Sequence, residues 1–114
     1  MKKILAVATL LLVQSAMAGW YTGAQLNALA ESYTQVMESA EAISFKTQWE
    51  SGMFSGYVTG YADGNSLLCI PGGVTRGQLL AIVSKYLKNN PEVWNLPSEV
   101  LIFNSLVHTF PCKK

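Results

Sequence analysis

Apolar positions along this chain recur mostly at helical spacing, and no stretch alternates with the two-residue period of a strand. Leu26, Leu29, Ala30, Tyr33, Met37 and Ala40 follow one another at helical intervals, with Asn27, Glu31, Gln35 and Glu38 opposite. Thr22-Gly23-Ala24-Gln25 has the form of a capping box, so a helix should begin near Thr22 and end near Ala42 to Ser44. A second helix is expected from about Thr47 to Asp63, where Gly52, Gly56, Gly60 and Gly64 recur every four residues. Each glycine costs ~1 kcal/mol against alanine inside a helix, so a packing reason is expected. Gly52, Gly56 and Gly60 are therefore read as helix-packing glycines that let another backbone approach. Tyr57 and Tyr61 form a neighbouring aromatic face, expected in the core with hydroxyls at the rim.

Asn65 to Val74 reads as a loop, because Pro71-Gly72-Gly73 forbids a continuous helix. Thr75-Arg76-Gly77-Gln78 is a second capping box, and Leu79, Ile82, Val83, Tyr86 and Leu87 give the third helix its inner face. Asn89-Asn90-Pro91 ends it. Pro97 suits the start of a fourth helix, with Val100, Phe103, Leu106, Val107 and Phe110 facing inward and Pro111 as the stop. The expected fold class is all-α, a small antiparallel four-helix domain.

The N-terminus changes how the bulk composition is read. Lys2 and Lys3, the apolar run Ile4 to Val13, and Gln14-Ser15-Ala16-Met17-Ala18 have the form of a cleaved secretory signal. That run is too short for a spanning helix, which needs roughly 20 apolar residues. Residues 1–18 are thus expected to be removed and residues 19–114 to form the helical domain, with export to the periplasm. The remaining 96 residues carry six basic and seven acidic side chains, so no basic patch points to nucleic acid or an anionic membrane. A domain of this size buries only about 60–65% of its unfolded surface and gains from a covalent staple.

Two cysteines in an exported chain most simply form one disulfide, Cys69–Cys112. Closing the 42 residues between them is worth about 4 kcal/mol in the loop-entropy model. The alternative is a catalytic thiol, for which the single histidine, His108, would be the base. No metal-ligand cluster has workable spacing, and Pro71-Gly72-Gly73 lacks the lysine and preceding strand of a phosphate loop. Glu38 and Glu41 read as a solvated face rather than a catalytic pair. An enzyme, a cofactor and a metal are therefore not expected.

Ser55-Gly56-Tyr57-Val58-Thr59-Gly60-Tyr61-Ala62-Asp63, Cys69-Ile70-Pro71-Gly72-Gly73-Val74-Thr75, Gln78-Leu79, Val83-Ser84-Lys85-Tyr86-Leu87, Asn90-Pro91-Glu92, Leu96-Pro97 and Phe110-Pro111-Cys112 occur in that order. Together they resemble the Rap/Tai family of type VI secretion immunity proteins, from about Gly52 to Cys112. The resemblance implies a small, all-helical periplasmic protein, often a homodimer, that binds and blocks a peptidoglycan-cleaving amidase with a Cys–His pair. Members often carry a second cysteine pair between the first two helices; here Met53 and Phe54 lie near one expected position.

A plug needs a segment that enters the partner's groove. The Asn89–Leu96 connection is the first candidate, with Asn90, Glu92, Val93, Trp94 and Asn95, and Asn65 and Ser66 form a second. Trp94 is either an exposed anchor or folded onto the core. Two other readings remain: a periplasmic holdase resembling small acid-stress chaperones, against which 13 charged residues in 96 count, and an inhibitor of another lytic enzyme.

Overall fold

The computed structural model describes residues 20–113; the segment read as an export signal lies outside them. Four helices follow in order: α1 (Gly23–Glu38), α2 (Phe45–Gly64), α3 (Arg76–Asn89) and α4 (Ser98–Thr109), with a 3-10 turn at Pro91–Val93. The described residues contain no named strand, only an isolated bridge between Thr22 and Pro97. The all-α four-helix expectation holds.

Both capping boxes are present. Thr22 and Gln25 close the start of α1, and Thr75 and Gln78 close the start of α3. α1 ends at Glu38, short of the expected Ala42 to Ser44. Ser39 turns to extended backbone, and the Ser44 hydroxyl accepts from the Thr47 amide to start α2 at Phe45. Ala40, expected on the inner face of the first helix, therefore lies in the connection and is exposed.

The core joins all four helices. Leu26 and Ala30 come from α1; Phe54, Val58 and Ala62 from α2; Leu79, Leu80, Val83 and Leu87 from α3; Leu101, Ile102 and Leu106 from α4. Met37, expected inward, is 63% exposed, whereas Asn27, expected outward, is buried and donates to Glu31. α4 is rotated from the expected phase. Val100 is exposed and Phe103 and Val107 are half-buried, while Leu101, Ile102 and Ser105 face inward. The run Val100-Leu101-Ile102-Phe103 is apolar all round, so periodicity does not choose the face. The anchored start of the helix chooses it: Ser98 is fully buried, with its Oγ 2.8 Å from the Tyr57 hydroxyl.

The packing role expected of Gly52, Gly56 and Gly60 is overturned. These glycines and Gly64 are exposed, and a Cβ built on any of them would meet nothing within 4 Å. The core face of α2 runs through Phe54, Val58 and Ala62. Gly52, Gly56 and Gly60 lie two positions before these, about 200° around the helix and so on the opposite side. α1 instead packs on α2 through side chains, Tyr33 against Phe54 with ring centroids 5.5 Å apart, and Tyr21, just before α1, lies edge-on to Tyr57 at 5.1 Å. Tyr57 and Tyr61 are half-buried, and the Tyr61 hydroxyl accepts from Asn65 at 3.0 Å.

The glycine that the packing does require is Gly23. A Cβ there would lie 2.8 Å from the Trp94 Cα and from its carbonyl oxygen, and would also run into the Leu101 side chain. Cys69 and Cys112 form the expected disulfide. No described helix is long and apolar enough to cross a membrane.

Two outcomes follow from the glycines. Gly56→Ala should raise stability by ~1 kcal/mol in chemical denaturation, because the site is open and helical. Gly23→Ala should lower it by about 2–3 kcal/mol, as overpacking against backbone does.

A third outcome concerns pH. The Ser32 hydroxyl donates to Glu50 Oε2 at 2.7 Å, and Lys46 Nζ lies 3.2 Å from Oε1. The Ser32 hydrogen bond first, and Lys46 second, hold the Glu50 carboxyl below its ordinary value of 4.5, against a smaller upward push from burial. A carboxyl depressed in the folded state stabilises above its unfolded pKa, and that contribution is lost as pH falls through the folded value. Ser32→Ala should therefore lower the melting temperature at neutral pH, and the difference from the parent should shrink in acid below the ordinary carboxylate range.

Candidate partner-binding site

The segment between α3 and α4 is built from its hydrogen bonds. Asn90 ends α3 and its side chain donates back to the Tyr86 carbonyl at 2.8 Å. Pro91 opens the 3-10 turn, which the Val93 and Trp94 amides close onto the Asn90 and Pro91 carbonyls. The chain then meets the N-terminus of α1. The Gly23 amide donates to the Leu96 carbonyl at 2.8 Å and the Ala24 amide to the Trp94 carbonyl at 3.0 Å. The Ser98 amide donates to the Tyr21 carbonyl at 3.0 Å. The first amides of α1, which have no partner within their own helix, are thus satisfied by the loop.

Trp94 takes the folded-back alternative. It is half-buried, and its Nε1 donates to the Leu87 carbonyl at 2.7 Å, capping the last turn of α3. The side chains left facing solvent are Glu92 and Asn95, with Asn90 and Val93 half-buried. The segment is held in place by these hydrogen bonds, and its aromatic pins it to the end of α3.

Asn65 and Ser66 lie at the other end of α3. Asn65 Oδ1 accepts from the Leu67 amide at 2.9 Å, Ser66 is exposed, and Leu67 is 67% exposed. The 14 residues of α3 separate the two loops by about 20 Å, so the fold does not bring the two candidate sets together.

The outer face of α2 carries exposed aromatics that are not among the sequence-predicted site residues. Phe45 is 81% exposed and Trp49 is 62% exposed, one turn apart, and the glycines Gly52, Gly56 and Gly60 continue along the same side. Trp20 is 88% exposed at the start of the domain. The four-residue spacing of Phe45 and Trp49 is the sequence signal for this face, and the glycine repeat on the same side masks it.

The thiol alternative is settled by geometry. Cys112 is bonded to Cys69, and no cysteine among the described residues is free. His108 is exposed on α4. Among the described residues no group of three or more His, Cys, Asp or Glu is placed to hold a metal ion.

The described residues form a small four-helix domain cross-linked by one disulfide. The family model described as Rap1a immunity proteins matches residues 22–112, and the chain belongs to that family. No curated protein matches the chain. Membership makes it an immunity protein whose partner is an effector protein.

Trp94→Ala should cost about 2–3 kcal/mol, since it removes packed aromatic area and the shorter of the two hydrogen bonds to the Leu87 carbonyl, which keeps only the Asn90 amide at 3.3 Å. Thermal denaturation checks this, and Trp94→Phe should recover the packing share alone.

Proposed function

We propose that this protein is exported to the periplasm and there binds and blocks a peptidoglycan-cleaving amidase delivered by a type VI secretion system. The observation that carries the reading is the family match across residues 22–112, on a helical domain held by a disulfide of the kind that oxidising compartments favour. The contact is assigned to the Asn90–Asn95 segment, because it is held at both ends by backbone hydrogen bonds and presents Glu92 and Asn95 outward. Preorganisation of this kind lowers the entropy lost on binding. Inhibition then consists of occupying the enzyme's groove and requires no chemistry from the immunity protein. A homodimer is part of the same expectation.

The test is capture by the oxidised, processed protein from extracts of actively secreting cells, with bound proteins identified by mass spectrometry. A stoichiometric cell-wall amidase supports the reading; a broad set of unfolded proteins supports a holdase instead. With the captured amidase in hand, the double variant Glu92→Ala, Asn95→Ala should bind about tenfold more weakly, roughly 1.4 kcal/mol. Phe45→Ala with Trp49→Ala should leave binding unchanged. The reverse pattern would move the contact to the outer face of α2.

A further inference from the structure

Cys69 sits in the loop before α3 and Cys112 in the tail after α4, and both are exposed. Among the described residues no backbone hydrogen bond joins residues 65–74 to residues 110–113. The loop's own bonds stay within it: the Leu67 and Leu68 amides donate to Asn65, and the Val74 amide to the Pro71 carbonyl. The last backbone bond before the tail runs from the Phe110 amide to the Leu106 carbonyl. Cys112 Sγ lies 3.4 Å from the Leu67 carbonyl oxygen, but a sulfur in a disulfide has no proton to donate. What remains at this end is the packing of half-buried Leu68, Ile70 and Phe110 on the core.

The opposite end of α4 is built differently. There the Gly23 and Ala24 amides donate to the α3–α4 segment, the Ser98 amide donates to Tyr21, and the Trp94 indole holds the last turn of α3. The 12 residues of α4 put about 18 Å between the two ends. Segments with few hydrogen bonds and few buried apolar contacts are those that open without global unfolding. Disulfides that solvent reaches are the labile ones in thiol–disulfide exchange.

We infer that the Cys69–Cys112 disulfide is a redox latch on one end of the domain. Closed, it holds residues 65–74 and the tail against the core. Opened by a dithiol reductant, it releases both, while the α3–α4 segment stays fixed to α1. A thiolate of the dithiol attacks one sulfur of the pair and breaks the S–S bond. The other cysteine leaves as a thiolate and takes up a proton. The second thiol of the reductant then displaces the first cysteine. Two electrons and two protons pass to the cysteines, and the reductant becomes a disulfide. The latch sets the chain's resistance to proteolysis after Arg76 and along the freed tail, and the Asn90–Asn95 segment is formed in both redox states. This inference does not rest on the effector reading.

The test reduces the oxidised, isotope-labelled protein with dithiothreitol at neutral pH and follows backbone amides, the Trp94 indole N–H and cleavage by trypsin. On reduction, amide exchange should rise about tenfold or more at Leu67, Leu68, Val74 and Cys112, and stay unchanged at Gly23, Ala24 and Ser98. The Trp94 indole signal should hold its position. Trypsin should cut after Arg76 about tenfold faster than in the oxidised protein. Reoxidation with oxidised glutathione should restore the oxidised behaviour in each readout. The double variant Cys69→Ser, Cys112→Ser should show the same local opening with no reductant present. A bond that dithiothreitol leaves intact, exchange at Leu68 and Val74 that does not change, or loss of the Trp94 indole signal together with the loop amides would each overturn the latch.

Discussion

The structure depends first on the close approach of the Trp94–Ser98 backbone to the start of α1. Three backbone hydrogen bonds cross there, from Gly23, Ala24 and Ser98. They settle two problems at once. The exposed amides of the α1 N-terminus find carbonyl partners, and α4, whose N-cap Pro97 offers no side-chain cap, has its first amide held by Tyr21. The contact is possible only because residue 23 has no Cβ. It also fixes the rotation of α4, since Ser98 is drawn under Tyr57 and carries Leu101, Ile102 and Ser105 to the inside.

The disulfide complements this contact from the other end of α4. Cys112 follows the helix and Cys69 lies in the loop that precedes α3, so the bond closes an end that, among the described residues, has no backbone hydrogen bond between the two segments. A chain of this size has little core to spare, and the two ties act on different parts of the energy. The covalent one restricts the unfolded chain, and the backbone one satisfies polar groups in the folded state. Between them α3 needs no tie of its own: its capping box, four buried apolar residues and the Trp94 hydrogen bond at its last turn hold it.

The elements that were legible from sequence are those with chemistry at a fixed spacing. Thr22 with Gln25 and Thr75 with Gln78 announced two helix starts, Pro71-Gly72-Gly73 announced a loop, and the two cysteines announced their bond. Illegible were features set by neighbours distant in the chain. The apolar run of α4 has no face until Ser98 is anchored, and Trp94 has no orientation until the end of α3 brings the Leu87 carbonyl within reach of its Nε1. Nothing beside Gly23 in the sequence marks it as a close approach, because the backbone that crosses it comes from residues over seventy positions later. The glycines of α2 misled for the opposite reason. Their spacing was regular, but spacing alone does not say which side of a helix faces the core.

Local rules that a sequence breaks without an internal gain are informative about function. α2 breaks two. Its outer face gives up helix propensity at Gly52, Gly56 and Gly60 beside exposed Phe45 and Trp49, and its last turn places Asp63 against the helix dipole. The two differ in what accompanies them. The glycine face has no polar group in need of a partner, so nothing there specifies what would cover it. Asp63 is exposed, so solvent screens most of the cost of its placement.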